Sequence, residues 1–137
     1  MKINNKIKNY YLNYSKNISW KKKPKKSVTF DFKENRHQWF QDGILSPYEN
    51  LIDNNIKKNL KNKTAIITVS KNKLIQEFSY SEIDARVNKL INHFFNGYKK
   101  KKLKVMIQAS ASIESAILML ACSKLGIHFS FIFEVSS

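Results

Sequence analysis

The side chains that most often do chemistry in proteins are few in this sequence, and they stand apart from one another. The histidines His37, His93 and His128 have no cysteine, histidine or carboxylate at the spacing of a metal site. We expect a structural role for His93, which lies beside the apolar stripe of a predicted helix. The single cysteine, Cys122, forms no internal disulfide and is predicted to be a small core residue because it lies in an apolar run. The sequence therefore predicts no metal centre.

Glu82 and Asp84 are neighbouring acidic residues on a predicted helix. Side chains two positions apart on a helix do not face each other, so general acid–base catalysis by this pair is not expected. Glu82 also follows Ser79 by three residues, which is the spacing of a capping box at a helix start. No arrangement of serine, histidine and aspartate can be assigned from spacing, because such groups meet only in the fold. We expect no catalytic residue in this chain.

Binding of phosphate groups by a loop requires several glycines close together, because stacked backbone amides must approach the ligand. The chain has three glycines, Gly43, Gly97 and Gly126, and no two of them are neighbours. The sequence therefore predicts no ATP-binding loop and no cofactor held by this chain itself.

The net charge of +15 arises from 25 lysine and arginine residues against 10 aspartate and glutamate residues. Such a balance favours nucleic acids or anionic membranes as partners. Only Arg36 and Arg86 are arginines, however, and lysine, asparagine, isoleucine and phenylalanine are enriched together, as AT-rich coding DNA produces. We interpret the charge as compositional drift and expect no specific nucleic acid, with a small basic nucleic-acid-binding protein as the rival hypothesis. That rival needs exposed aromatics, whereas the apolar stripes predict core positions for Phe94, Phe95, Phe129, Phe131 and Phe133.

No stretch of about 18 uninterrupted apolar residues is present, so no membrane-spanning helix is predicted. The most apolar helical segment, residues 113–125, is interrupted by Glu114 and Lys124. Residues 1–14 lack the apolar core of a signal peptide. We therefore expect no membrane partner and a cytoplasmic location.

A β-hairpin and a helix are predicted in the middle of the chain. The β-branched and aromatic runs at 64–69 and 74–79 are separated by four polar residues, which favours a hairpin. The capping box then begins a helix over 80–96, whose apolar residues recur on one face, and Gly97 is placed to end it.

The last part of the chain has the pattern of a βαβ unit. Apolar strands are predicted at 103–109 and 127–133, on either side of a helix over 113–125 that Ser112 caps and Gly126 ends. Short links and near-continuous apolar strands indicate parallel pairing with a right-handed crossover. The fold class is therefore α/β, with one right-handed βαβ unit of an incomplete parallel sheet.

Three regions are predicted along the chain. Residues 1–35 form a basic, poorly ordered N-terminal arm, because lysine runs beside proline are usually solvated. Residues 36–63 are an irregular segment whose aromatics surround a tight turn at Asp42 and Gly43. Residues 64–137 hold the hairpin, the helices and the parallel strands.

The sequence resembles the AMP-forming short-chain acyl-CoA synthetases, the acetyl- and propionyl-CoA synthetases of the adenylate-forming superfamily. The resemblance covers residues 20–137 and rests on motifs that occur in the family's order. These motifs are WFQDGILSPYENLID (39–53), FSYSEIDARVNKLI (78–91) and ESAILMLACSKLGIHFSFIFEVSS (114–137). By this resemblance, 36–63 is the family's N-terminal segment and 64–137 is the start of its large domain, truncated.

The resemblance implies a ligase reaction for the full-length family. ATP and a short carboxylate give an acyl-adenylate, and CoA then takes the acyl group, so ATP, Mg and CoA are the cofactors implied. The family's phosphate loop, its nucleotide-binding acidic residues and its C-terminal lysine all lie beyond residue 137. We therefore expect an N-terminal fragment that is inactive alone, or one chain of a split synthetase completed by a second chain.

Glu134, Val135 and Ser136 occupy the segment that lines the route of CoA in the family. The family's paired glycines fall on Glu134 and Val135, and side chains at these positions would crowd the route. The family's histidine falls on Phe129, one place after His128. His128 begins a predicted strand, where we do not expect it to have a functional role. In the less favoured alternative, its side chain faces the CoA route.

Overall fold

The computed structural model of the chain describes residues 4–96 and 103–133. It divides into two compact units, Met1–Ser46 and Pro47–Ser137. The predicted CoA-route residues Glu134, Val135 and Ser136 lie outside the described residues, as does Gly97.

The described residues of the first unit, 4–46, form one α-helix and four short strands. Helix α1 is followed by a single 3-10 turn, and the strands pair antiparallel as β1 with β4 and β2 with β3. The bounds are α1 Asn5–Tyr14, β1 Trp20–Lys22, β2 Val28–Asp31, β3 Arg36–Trp39 and β4 Ile44–Leu45.

The predicted N-terminal arm over 1–35 contains α1, β1 and β2, and its poor order stays a prediction. The Asn4 side chain caps α1 by accepting a hydrogen bond from the Lys6 amide at 2.9 Å. The rings of Tyr10 and Tyr14, one helical turn apart, stack with their centroids 6.0 Å apart. The prediction for this region rested on the lysine run beside Pro24 and did not use these short-range signals.

The unit boundary also differs from the predicted boundaries after residues 35 and 63. Strand pairing explains the difference, because Trp20 in β1 is opposite Leu45 in β4 and so ties residues 36–45 to the first unit. Gly43 allows this pairing, since a Cβ atom there would lie 2.6 Å from the Trp20 ring. The Gly43 amide donates to the Phe40 carbonyl at 2.9 Å and closes the turn.

The second unit is a mixed α/β arrangement, and this fold class is confirmed. Strands β5 and β6 form an antiparallel pair, while β7 and β8 are parallel, with α4 between them in the chain. The handedness of the β7–α4–β8 connection stays a prediction. The bounds are α2 Asn54–Lys57, β5 Thr64–Val69, β6 Ile75–Ser79, α3 Tyr80–Leu90, β7 Lys104–Ala109, α4 Ile113–Leu125 and β8 His128–Phe133.

Capping groups set the ends of the two long helices of this unit. Ser79 and Glu82 form the predicted capping box at the start of α3. Ser112 caps α4, and Gly126 ends it in the left-handed conformation, with φ +68°.

The core of the second unit lies where α3 and α4 pack on the strands. Aliphatic side chains of the two helices pack there with buried residues from neighbouring segments, which include Tyr48, Ile52, Phe78, Phe95 and Ile127. Cys122 is fully buried, as predicted. Burial raises the pKa of the Cys122 thiol, so this group behaves as a core side chain.

Some aromatics predicted for the core are exposed instead. Phe94, Phe129 and Phe133 expose 59%, 38% and 70% of their surface, whereas Phe95 is buried. Beyond Leu90 the predicted 80–96 helix continues as a π-helical turn, Ile91–Phe95, in which Phe95 is buried and Phe94 is exposed. A π-helical turn changes the angular step per residue, so the faces of the predicted α-helix do not continue through it. Phe129 and Phe133 lie on β8, whose only neighbour among the described strands is β7.

Candidate functional site

The carboxyl edge of β7 and β8 is the place where an α/β fold of this kind binds ligands. The two strands run in register from Lys104 opposite His128 to Ala109 opposite Phe133. Helix α4 begins just after this edge, and the predicted CoA-route residues 134–136 follow Phe133 in the sequence. The described part of this candidate site therefore consists of the strand ends and the start of α4.

The hydroxyl groups at the start of α4 are already engaged. The Ser115 amide donates to the Ser112 hydroxyl at 3.2 Å, and the Ser112 amide donates to the Ser115 hydroxyl at 3.1 Å. The Ser115 hydroxyl itself donates to the Ser112 carbonyl at 2.9 Å. These groups stabilise the helix end, and the sequence did not single out Ser115 as the second member of this cap.

The β7–α4 turn does not fit the phosphates of a nucleotide. It consists of residues 110–112 and contains no glycine. A Cβ on every residue limits close approach of a phosphate, and the Ser112 amide already has a partner in the Ser115 hydroxyl. No step of the ligase reaction can be assigned to this turn.

His128 lies at the opposite edge of the parallel pair. It begins β8 beside Lys104, five residue steps from the strand end at Phe133, which is about 16 Å at the usual rise of a strand. It lines a shallow groove of about 420 Å³ at that amino edge. His128 therefore lies away from the edge at which β8 ends, and its interpretation as a residue of the CoA route stays a prediction.

A cluster of polar side chains joins three distant parts of the second unit, and sequence analysis missed it. Asp84 of α3 accepts hydrogen bonds from the Tyr48 hydroxyl at 2.6 Å and from the Lys124 ammonium at 3.0 Å. Asn88, one turn along α3, donates to Asp84 at 3.0 Å and accepts from Lys124 at 2.8 Å. The Lys124 ammonium also lies 4.3 Å from the centre of the Tyr48 ring.

The electrostatics of this cluster favour the ion pair. Burial acts to raise the pKa of the Asp84 carboxyl, but the hydrogen bonds from Tyr48, Lys124 and Asn88 outweigh it, so the pKa lies below its usual value. Burial and the hydrogen bond to Asp84 raise the pKa of the Tyr48 phenol, which stays protonated. With these polar groups paired to one another, the cluster ties the segments together and offers no free acid or base.

Only part of this cluster had a sequence signal. Asp84 and Asn88 are four residues apart on one helical face, which predicts that they meet. Tyr48 and Lys124 lie 36 and 40 residues from Asp84 and meet it only in the fold. Glu82 faces elsewhere, and hydrogen bonds from the Ser79 amide and hydroxyl hold the pKa of its carboxyl below the usual value.

The described residues contain neither a metal-ligand cluster nor a helix that could span a membrane. Within 4–96 and 103–133, no three side chains from histidine, cysteine, aspartate and glutamate lie together in a way that could hold a metal ion. In that part of the chain no helix combines the length and the apolar character needed to cross a bilayer.

The chain is similar in sequence to bacterial acetyl-coenzyme A synthetases. No protein-family model matches it. It is 34% identical over 101 residues to an acetyl-coenzyme A synthetase of Cupriavidus metallidurans, a match over 71% of the chain and 15% of that protein. It is 32% identical over 129 residues to that of Leptospira biflexa, which covers 90% of the chain and 19% of the protein. For the Chromobacterium violaceum protein, 32% identity extends over 116 residues, or 85% of the chain and 17% of the relative.

Proposed function

We propose that this chain, a relative of acetyl-coenzyme A synthetases, forms one part of an AMP-forming short-chain acyl-CoA synthetase and has no ligase activity of its own. The family resemblance implies a complete enzyme that uses ATP, Mg and CoA to activate a short carboxylate. The proposed role of this chain is to supply the parallel strands and helices from which one side of such an enzyme is built.

The extent of the match to the relatives carries this proposal. The alignments cover 71–90% of the chain but only 15–19% of the relatives' length. Most of the chain therefore has a counterpart in a synthetase, while most of a synthetase has no counterpart in the chain.

The chemistry of the described residues supports the absence of activity. Adenylate formation needs amides and cations placed in advance around the phosphates, and the β7–α4 turn offers no such cradle. The hydroxyls of Ser112 and Ser115 are held in caps, and Asp84 is held in an ion pair. By the family resemblance alone, Glu134 and Val135, which lie outside the described residues, take the positions of the family's glycines, and side chains there would crowd a pantetheine arm.

A pyrophosphate-release assay tests this proposal. The purified chain is incubated with ATP, Mg and CoA, with acetate in one series and propionate in the other. We expect no carboxylate-dependent pyrophosphate from this chain, while the Leptospira biflexa synthetase, as the matched control, turns over under the same conditions. Sustained turnover by the chain alone would contradict the proposal.

The exposed face of the parallel strands supports one form of this proposal. In that form, a second polypeptide completes the synthetase. A parallel sheet is normally covered on both faces, yet Met106 of β7 and Ile132 of β8 expose 72% and 45% of their surface. In the parallel register Met106 is opposite Ser130 and Ile132 is opposite Gln108, so both apolar side chains point to the same face. We propose that the remaining part of a synthetase covers this face.

A further inference from the structure

The first unit contains a concave, lysine-lined cleft that the proposed synthetase role does not use. The cleft has a volume of about 630 Å³ and lies between α1 and β2. Its polar and aromatic lining includes Asn5, Lys8, Asn9, Lys25, Lys26 and Phe32. The volume is in the range of sites that take small organic groups.

The charge of the cleft favours an anionic ligand. Lys8, Lys25 and Lys26 line it, and no aspartate or glutamate is among the lining residues. Two acidic residues lie beside the lining: Asp31 stands between Phe30 and Phe32 in the sequence, and Asp42 accepts a hydrogen bond from the Lys25 backbone amide at 2.9 Å. Around the cleft, residues 1–46 contain eleven lysines and arginines but only three aspartates and glutamates, so the surrounding field is also positive.

An exposed aromatic ring also lines the cleft. Phe32 is 87% exposed, although a lone phenylalanine gains by burial. The Phe30 ring meets it in an edge arrangement, with centroids 4.9 Å apart and the planes at 83°. His37, opposite Phe30 in the hairpin, lies 5.0 Å from the Phe30 ring. The three rings form one aromatic strip next to the lysine-lined cleft.

We propose that this cleft binds single-stranded nucleic acid without sequence preference. The lysine ammonium groups neutralise backbone phosphates, and a base stacks on the Phe32 ring, which is the combination used for sequence-independent binding of single strands. A lipid bilayer fits less well, because a concave cleft cannot follow a flat anionic surface. This inference is independent of the synthetase proposal, because it rests on the first unit alone.

Any chain with a charge of +15 binds polyanions at low salt, so the test must separate stacking from charge. Binding of the full-length chain to a labelled oligothymidylate is followed by fluorescence anisotropy at fixed physiological salt. We expect Phe32→Leu, which leaves the charge unchanged, to weaken binding about tenfold, the loss associated with one stacked base. The matched control is Tyr14→Leu, which removes a 63% exposed ring outside the cleft lining and should leave affinity unchanged.

The lysines are tested by the salt dependence of the same binding. Lys8→Gln and Lys25→Gln should each reduce the slope of log K against log salt by about 0.7, while Lys61→Gln, on the second unit, should not. Equal effects at Lys8 and Lys61 with no effect of Phe32→Leu would overturn the proposal in favour of diffuse polycation binding. It would equally be overturned if Phe32→Leu lowered affinity for phosphatidylserine vesicles but not for the oligonucleotide.

Discussion

A hydrogen-bonded cluster joins three segments of the second unit. Lys124 lies on α4, Asp84 lies on α3, and Tyr48 lies in the segment that precedes α2. Side chains of Asp84 and Lys124 are 30% and 29% exposed, so their ion pair is partly shielded from water. An exposed ion pair contributes little to stability, but removing one partner of a hydrogen-bonded, partly buried pair leaves the other group unsatisfied. We therefore assign this cluster a structural role in the second unit.

Asp84→Asn tests that role. We expect a loss of about 1–2 kcal/mol in the free energy of unfolding at pH 7, because Lys124 and Tyr48 lose a charged acceptor. The folded pKa of Asp84 lies below its unfolded value of about 3.9, so its stabilisation is complete above that pH and is lost as the pH falls through the folded pKa. The free energies of urea unfolding of the variant and the parent chain should therefore become more similar below about pH 4.

Glu34→Gln is the control for this prediction. Glu34 is a largely exposed acid, and its Oε2 atom lies 3.7 Å from the Arg36 Nη2 atom. Because a weak surface ion pair contributes little, removing the Glu34 charge should change the free energy of unfolding by only about a few tenths of a kcal/mol. An Asp84→Asn variant as stable as Glu34→Gln at pH 7, or a difference that grows on acidification, would show that the cluster is not a stabilising tie.

At the scale of elements, local signals define the second unit. The period of apolar residues predicted α3 and α4, and the cap residues Ser79, Ser112 and Gly126 predicted where they begin or end. These groups act within a few residues of themselves, so a single sequence suffices to find them. The change from α- to π-helix at Ile91 was not predictable, because it depends on how the helix end packs.

Ser79→Ala tests the capping box of α3. Loss of the hydroxyl leaves the Glu82 amide without its acceptor and removes one bond to the Glu82 carboxylate, and we expect about 1 kcal/mol of destabilisation in thermal or urea unfolding. Ser123→Ala, within α4, is the control and should be neutral or slightly stabilising, because alanine is the better helix former. A Ser79→Ala variant that loses no more than the control would show that the box is not needed.

The prediction from sequence failed where tertiary placement decides the outcome. The meeting of Tyr48 and Lys124 on Asp84 and the exposure of Phe94 could not be inferred from spacing, since each depends on which elements pack together. The candidate CoA-route residues at 134–136 lie outside the described residues and remain a prediction.

At the scale of the whole molecule, apolar side chains of the parallel pair are left on the surface. Full burial of a side chain such as Met106, Ile132 or Phe133 contributes about 1.5–3 kcal/mol. Domains of this size are stable by about 5–15 kcal/mol in total. Covering these side chains would therefore raise the free energy of unfolding substantially. The net charge of +15 opposes self-association through these exposed side chains, because copies of the chain repel one another.

The most direct test of the central claim is to offer this chain the rest of a synthetase. The Leptospira biflexa acetyl-coenzyme A synthetase is produced without the segment that matches this chain, and the two are mixed and followed by sedimentation velocity. We predict a one-to-one complex, which Met106→Lys combined with Ile132→Lys weakens at least about tenfold by charging the sheet face. The relative's own excised segment is the positive control. If that segment binds and this chain does not, the claim that this chain is part of a synthetase is contradicted.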